Sequence, residues 1–391
     1  MNAWAFMKKN SFIKINIYVL FLCVFTSAVS MQQKNSMKVL MVIPCFPQMS
    51  SVCVMNQITS LIDRGHDVDI FSFAKGDTVR VQEDVIAYDL INKIFYELPS
   101  SLDAYDIIMF SMGHKLLDIR TTHNYRGKIV VCLRGYDVTG YLKEKPHAYD
   151  EYFKTCDLFL PVCKAFKKTL EKAGCNPAKI IVHHSSIDCS KFKFSVKELP
   201  LQGPINIISA GRFVEKKGFI YSIHAIAQLI KKNPRIRYII IGSGGLKIKY
   251  QKLIEELNIC DKVQIQDWHT HEEYINILNK AHIFILPSVT ARNNNKEGIA
   301  NVLKEAMAIG LPVIATHHSG NSELIQNGIS GLLVPERNST ALRQAIEYLL
   351  NNSNKWLSMQ LAAAHTVHQK FEKEKENDKL EAILYALLEQ K

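Results

Sequence analysis

From Lys38 onward, short apolar runs alternate with amphipathic stretches, and the whole series occurs twice. Residues 39–43, 67–73, 106–110, 128–133, 158–162 and 179–183 read as strands. Residues 54–64, ended by Gly65-His66, and 163–173, closed by Gly174, carry helical spacing between them. A Pro/Gly break follows at 198–204 (ELPLQGP), the composition of a linker. The series then restarts, with strands expected at 205–210, 237–241, 262–266, 282–286, 312–315 and 331–334 and a helix at 219–231. Strands that alternate with helices form a parallel sheet covered on both faces. At 391 residues the chain exceeds one ordinary core and suffices for two. The fold class expected is α/β, with two Rossmann-like domains facing a central cleft. The domains expected are 37–200 and 201–356. A strongly helical tail, 357–391, has no strand partner and is expected to pack back across them.

The composition is globular, 47% hydrophobic and 22% charged, with a formal charge of +11. Such a basic chain suits a phosphorylated small molecule, an anionic lipid surface or nucleic acid. The sequence has neither the aromatic-interleaved basic stripe nor the zinc-finger spacing that would favour nucleic acid. The nine cysteines are scattered and form no CxxC, which argues against a zinc site or a disulfide framework and for free thiols in a reducing compartment. The first 36 residues point the other way. Lys8, Lys9 and Lys14 precede an apolar run ending in Ser27-Ala28-Val29-Ser30, the layout of a signal peptide. The run is shorter than the ~20 residues of a spanning helix. Export signal, short membrane anchor and an extension ahead of a start at Met31 or Met37 all stay open. The free cysteines favour a cytoplasmic enzyme at the inner face of the membrane.

Three stretches carry chemistry. Gly211-Arg212-Phe213-Val214-Glu215-Lys216-Lys217-Gly218 leaves a strand and enters a helix. Arg212 can fork onto phosphate oxygens and Lys217 adds a mobile charge, enough to neutralise a diphosphate without a metal. A basic surface turn would look the same. Gly242-Ser243-Gly244-Gly245 ends the strand RYIII, where glycines allow close backbone approach. It is not GxGxxG, and a tight turn explains it as well. The third stretch, Glu297-Gly298-Ile299-Ala300-Asn301, reads as a loop entering a helix whose first amides face an anion. Glu305 follows on that helix. Eight helical residues span at most ~12 Å, whereas a carboxylate pair cleaving one glycosidic bond needs ~5–9.5 Å. The pair suits the two ends of a nucleotide sugar, since an ionised carboxylate accepts from both hydroxyls of a diol.

These residues resemble the retaining, nucleotide-sugar-dependent glycosyltransferases of GT-B fold, in the large family 4 group. Their E-x7-E mark stands here as Glu297…Glu305. The likeness continues through GLPVIATHHSGNSELIQNGISGLLVP, back through HIFILPS, and to GRFVEKKG. In the first half, PCFPQMSSVCVMNQITSLIDRGHDV is similar to transferases of bacterial exopolysaccharide assembly, notably the colanic-acid type. The resemblance covers about residues 38–350. It implies that Glu297 contacts the donor sugar, Glu305 the ribose, and Arg212 and Lys217 the diphosphate. Gly298, Ile299, Ala300 and Asn301 would lie near phosphate and sugar, with Gly242, Ser243 and Gly244 lining the donor site. Three departures stand out. Arg134-Gly135-Tyr136-Asp137 replaces His-Gly-x-Asp, Ala300 replaces a proline, and Ser50-Ser51 replaces a Gly-rich loop. Ser50, Ser51, Arg134 and Asp137 are therefore the acceptor-side candidates, with Arg134 open to an anionic group.

The activity implied is transfer of a hexose-type sugar, with retention, from a nucleotide diphosphate sugar to a saccharide or lipid-linked acceptor. No metal and no cofactor beyond that co-substrate is expected, and no nucleic-acid partner; a membrane surface is. Two alternatives stay open: an epimerase or phosphorylase on the same fold, and a non-catalytic binding protein. His269, His271, His317 and His318 have the chemistry of ligands, but such histidines more often cap helices or face solvent, which is the expectation here. Glu323 has two readings, a contact to the nucleotide base or a helix-start acid.

Overall fold

The computed structural model describes residues 36–48, 52–77 and 81–390. The signal-like segment and Ser50-Ser51 lie outside them. The chain divides into Met1–Met37 and Lys38–Lys391, and every element below belongs to the latter.

Two six-stranded parallel sheets form the frame. The first comprises β1 (Lys38–Ile43), β2 (Asp67–Ser72), β3 (Ile94–Phe95), β4 (Ile107–Phe110), β5 (Lys128–Leu133) and β6 (Leu158–Pro161), in the order β3-β2-β1-β4-β5-β6. The second comprises β7 (Ile205–Ala210), β8 (Ile236–Ile241), β9 (Val263–Gln266), β10 (Ile283–Leu286), β11 (Val313–Thr316) and β12 (Leu332–Val334), in the order β12-β11-β10-β7-β8-β9. Counted from its own first strand, each sheet has the same doubly wound order, 3-2-1-4-5-6. The strand order reverses between β1 and β4 and again between β7 and β10. Ligands of such sheets sit at that reversal, beyond the carboxyl ends of the strands.

The strands read as unbroken apolar runs because helices cover both faces. Every residue of β4, β10 and β11 is buried. Helices that matter for the site are α1 (Val52–Asp63), α2 (Lys164–Lys172), α3 (Phe219–Lys232), α4 (His271–Asn279) and α5 (Asn301–Ala308). The tail forms α6 (Trp356–Lys370) and α7 (Lys373–Glu389). α6 packs on α5 in the second half and α7 on α1 in the first. Arg64 fastens that return, with Asp378 at 2.6 Å and Glu374 at 3.0 Å.

Residues 179–183 do not form the strand expected of them. Pro177–Lys179 is a single 3-10 turn, and only Ile180 bridges β6, opposite Phe159. Ile181 and His183 donate to Phe159 and Pro161 carbonyls, but the segment then swings toward α7. His183 Nε2 lies 3.0 Å from the Glu376 carbonyl, and the His184 amide donates to the Glu376 carboxylate at 2.8 Å. Polar contacts with the returning tail helix thus take the place of further pairing. β3, two residues at the sheet edge, is too short to leave a pattern in sequence.

Candidate functional site

The loops after β7 and β10 meet at the strand-order reversal of the second sheet. After β7, Gly211 to Val214 lead into a 3-10 turn, Glu215–Lys217, and Gly218 starts α3. Gly218 has φ +65°, and a Cβ there would stand 2.0 Å from the Pro287 carbonyl oxygen. Only glycine fits both demands. The β10 loop is stitched to this turn by Val289 N–H to the Lys216 carbonyl, 2.8 Å, and by Arg292 N–H to Glu215, 3.1 Å. The turn therefore aims Lys216 and Lys217 at the end of the β10 loop, where Glu297 lies.

Lys217 Nζ is 3.0 Å and Lys216 Nζ 3.6 Å from Glu297 Oε2. Both ammonium charges thus face the same buried oxygen, Lys217 at the closer range. Burial alone would raise the Glu297 carboxyl; the charges of Lys216 and Lys217, with Arg212 behind them, outweigh it and hold the carboxyl far below the usual range. Burial pushes Lys216 down, against the pull of Glu297. Arg212 is exposed at the edge of the turn. The centre is therefore an ionised carboxylate between two half-satisfied lysines, with an arginine at its rim.

Glu305 lies along α5 in a different environment. Burial raises its carboxyl to about 7, against Tyr274 on α4 and the charges of Lys304 and Lys217. The Tyr274 hydroxyl is itself buried and is pushed well up by burial and by Glu305. Lys304 is fully buried, and burial lowers its ammonium to about 8. It donates to the Ser185 carbonyl, to Ser185 Oγ at 2.8 Å and to Asn301 Oδ1 at 3.0 Å. α5 starts at Ala300, which supplies no side-chain cap, so its first amides are not closed off by their own N-cap residue.

The first half closes over this loop. A Cβ at Gly298 would come within 2.7 Å of Val162 Cγ2, and one at Gly135 within 3.1 Å of the Lys296 carbonyl oxygen. Lys296 N–H donates to Thr139 Oγ1 at 3.1 Å, and Asn301 Nδ2 to Cys53 Sγ at 3.3 Å. Ile299 is buried against Gly320. Gly242 and Gly244 abut the backbone of Gly211 and Phe213, where any Cβ would collide, and the Ser243 carbonyl accepts the Phe213 N–H at 2.7 Å. These glycines are thus explained by packing of one loop on the Arg212 loop.

Two acceptor-side expectations change. Asp137 is fully buried, and its oxygens accept the backbone N–H groups of Gly113, Arg134, Gly135 and Val138. It staples the loop and does not face a ligand, because four amides converge on it. Arg134 is turned into its own half, Nε donating to the Ser111 carbonyl at 3.1 Å and an outer nitrogen to Gln57 at 2.6 Å. Glu323 receives the Lys164 N–H that opens α2, at 2.8 Å, and so joins the halves. His318, expected to cap a helix or face solvent, is buried and contacts both the Glu297 amide and Glu336. Sequence reasoning also missed Lys216, Lys304 and Tyr274. For Lys216 the signal was its place beside Lys217 on a three-residue turn, where neighbours converge. A separate cavity of about 560 Å³ lies at the opposite, amino-terminal ends of β7, β8 and β9, away from this chemistry.

The free state of the cysteines extends to all those described. Among the described residues, no helix is long and apolar enough to cross a membrane.

Two doubly wound sheets with converging loops at the second strand-order reversal define the GT-B class. A glycosyltransferase from Rickettsia africae shares the fold with TM-score 0.74 and 19% identity, covering 92% of this chain and all of that one. Anabaena HepE, solved in complex with UDP, does so with TM-score 0.73 and 18% identity over 90% of this chain and all of its own. Residues 190–365 match the family model of the glycosyl transferases group 1. That stretch is a group 1 glycosyl transferase domain, and the chain is a glycosyltransferase. It is 28% identical to a putative colanic acid biosynthesis glycosyltransferase of Salmonella typhimurium, over 90% of this chain and all of the relative. It is 29% identical to an amylovoran biosynthesis glycosyltransferase of Erwinia amylovora, over 83% of this chain and 94% of the relative.

Proposed function

We propose that the chain transfers a hexose-type sugar, with retention, from a nucleotide diphosphate sugar to a saccharide or lipid-linked acceptor in cell-surface polysaccharide synthesis. The observation that carries this reading is the Glu297 carboxylate, kept ionised between Lys216 and Lys217 at the strand-order reversal, beside the uncapped start of α5. The relatives' roles in colanic acid and amylovoran synthesis support the polymer assignment, and UDP in HepE supports a nucleotide donor.

In this reading Glu297 accepts from donor-sugar hydroxyls and Glu305 from the ribose diol. The diphosphate lies between them, against Arg212, Lys217, Lys216 and the amides of Gly298 to Asn301. Positive charge fixed where negative charge grows on the leaving group is electrostatic catalysis. It supplies the neutralisation for which we invoke no metal and no further cofactor. The bond from the anomeric carbon to the phosphate oxygen breaks as the acceptor oxygen bonds to that carbon from the same face, and the acceptor proton passes to the leaving phosphate oxygen. Contact of the two halves over Gly298 excludes water and limits hydrolysis. A basic chain and a lipid-linked acceptor together support work at the cytoplasmic face of a membrane.

The test is a thermal-shift screen of nucleotide sugars, repeated with Arg212→Ala and Glu305→Ala. One nucleotide series should stabilise the wild type and lose its effect in both variants. Equal responses from all three proteins would remove the donor-site assignment.

A further inference from the structure

Glu297 is gripped from behind as well as in front. Its amide N–H donates to His318 Nε2 at 2.9 Å. The other ring nitrogen, Nδ1, lies 2.5 Å from Glu336 Oε1. A nitrogen that accepts an amide proton cannot carry its own, so the proton of the neutral ring sits on Nδ1 and is donated to Glu336. The imidazole side chain is 0% exposed, which leaves it no water with which to exchange these roles. Glu336 is fixed in turn. Its Oε2 accepts the Thr290 N–H at 2.8 Å, and the Thr290 hydroxyl lies 3.4 Å from Oε1. Burial would raise the Glu336 carboxyl, yet the His318 and Thr290 hydrogen bonds bring it below the usual range and keep it an acceptor.

The bonds join three loops: that after β10, with Thr290 and Glu297; that after β11, with His318; and that after β12, with Glu336. The order matters physically. Lys216 and Lys217 attract the Glu297 carboxylate from one side, and a backbone free to yield would let it settle deeper onto them. Pinning the amide opposes that movement.

We propose that His318 and Glu336 are positioning residues of the transferase: Glu336 selects the Nδ1–H tautomer, and His318 then fixes the Glu297 backbone so that its carboxylate faces the donor sugar. The last clause rests on the function proposed above for Glu297. Neither residue touches the substrate. An aliphatic or aromatic side chain at 318 removes the acceptor, and loss of Glu336 lets the ring turn its N–H toward another N–H.

Two measurements test this. The first needs no donor. In protein labelled with ¹⁵N only in histidine, with the His318 signals assigned by their loss in His318→Phe, the wild type should show an Nδ1–H ring. Glu336→Ala should convert it to the Nε2–H form or a mixture. An Nε2–H ring in the wild type, or no change in Glu336→Ala, overturns the proposal. The second uses the nucleotide sugar that stabilises the wild type in the screen. His318→Phe and Glu336→Ala should lower kcat at least tenfold, on the way to the ~10²-fold that a 1 Å misplacement costs. KM for the donor should move less than threefold. His318→Gln, which keeps an acceptor oxygen, should recover much of the loss. In a Glu297→Ala background, His318→Phe should cost nothing more, because it acts through Glu297. Wild-type kcat in a folded His318→Phe, or additive losses in the double variant, would overturn it. Should His318→Phe melt early, Glu336→Ala and His318→Gln carry the same comparison. Full turnover by Glu297→Ala would instead sink the donor-site reading, while the tautomer measurement still decides whether the bond chain exists.

Discussion

Glu305→Gln should make the ligand-free protein more stable above neutral pH and leave it unchanged in acid. Burial raises the Glu305 carboxyl from 4.5 to about 7. Between those values the folded state binds a proton that the unfolded chain does not. Stability therefore falls as pH rises from 4.5 to 7 and stays at the lower level beyond. A shift of that size at 1.36 kcal/mol per pKa unit corresponds to about 3 kcal/mol. Glutamine has the shape without the charge, so it escapes the penalty. Urea unfolding of wild type and variant, in steps from pH 4.5 to 8.5, should show curves that coincide at the acid end and separate by roughly 3 kcal/mol at the alkaline end. Tyr274 and Lys304 moderate the penalty, so a separation of half that size still fits. The reasoning is refuted if the variant is equally or less stable at every pH. In the donor site proposed above, the variant lacks the ionised acceptor for the ribose diol, so nucleotide binding should weaken in the variant and, in the wild type, strengthen as pH rises through 7.

Glu297→Gln should destabilise by roughly 3–5 kcal/mol, because two buried lysines lose their counter-charge; a melt showing no loss would contradict the charge-pair reading. The stability that Glu297 contributes is present above pH 4.5 and is lost as pH falls toward its depressed folded value, so the variant's deficit should shrink in acid. Arg212→Ala should leave the melt within about 0.5 kcal/mol, as for other exposed positions, while transferase turnover falls at least tenfold. Gly298→Ala should cost about 1–3 kcal/mol from overpacking against Val162, seen in the melt and in turnover together. Activity assayed after chelation with EDTA should persist, since Arg212, Lys216 and Lys217 supply the charge.

Hydrophobic period carried most of the fold. Eleven strands could be read because apolar runs of four to six residues, helical spacing between them and the break at 198–204 all agree on two doubly wound domains. β3 escaped because two residues make no pattern, and residues 179–183 misled because an apolar run does not reveal that Glu376, almost two hundred positions away, draws the chain aside. Local sequence alone placed Arg212, Lys217 and Glu297 in loops beyond strand ends and Glu305 on a helix.

What only the tertiary structure decided is the state of those groups. Glu297 and Glu305 look alike in sequence, yet one is held ionised and the other is raised to about 7. Both carboxyls are raised by burial; at Glu297 the paired charges of Lys216 and Lys217 outweigh it, whereas at Glu305 the Tyr274 hydroxyl and the more distant lysine charges do not. Asp137 reads as an acceptor-side acid and is a staple for four amides; His318 reads as a helix cap or a solvent-facing residue and is a buried link to Glu297. Coulombic and desolvation terms depend on distance and burial through space, which spacing along the chain does not contain. The sequence by itself determined the fold and the location of the loops that carry Arg212, Lys217 and Glu297; packing of the second half against the first and of three loops on one another decided what each side chain there can do.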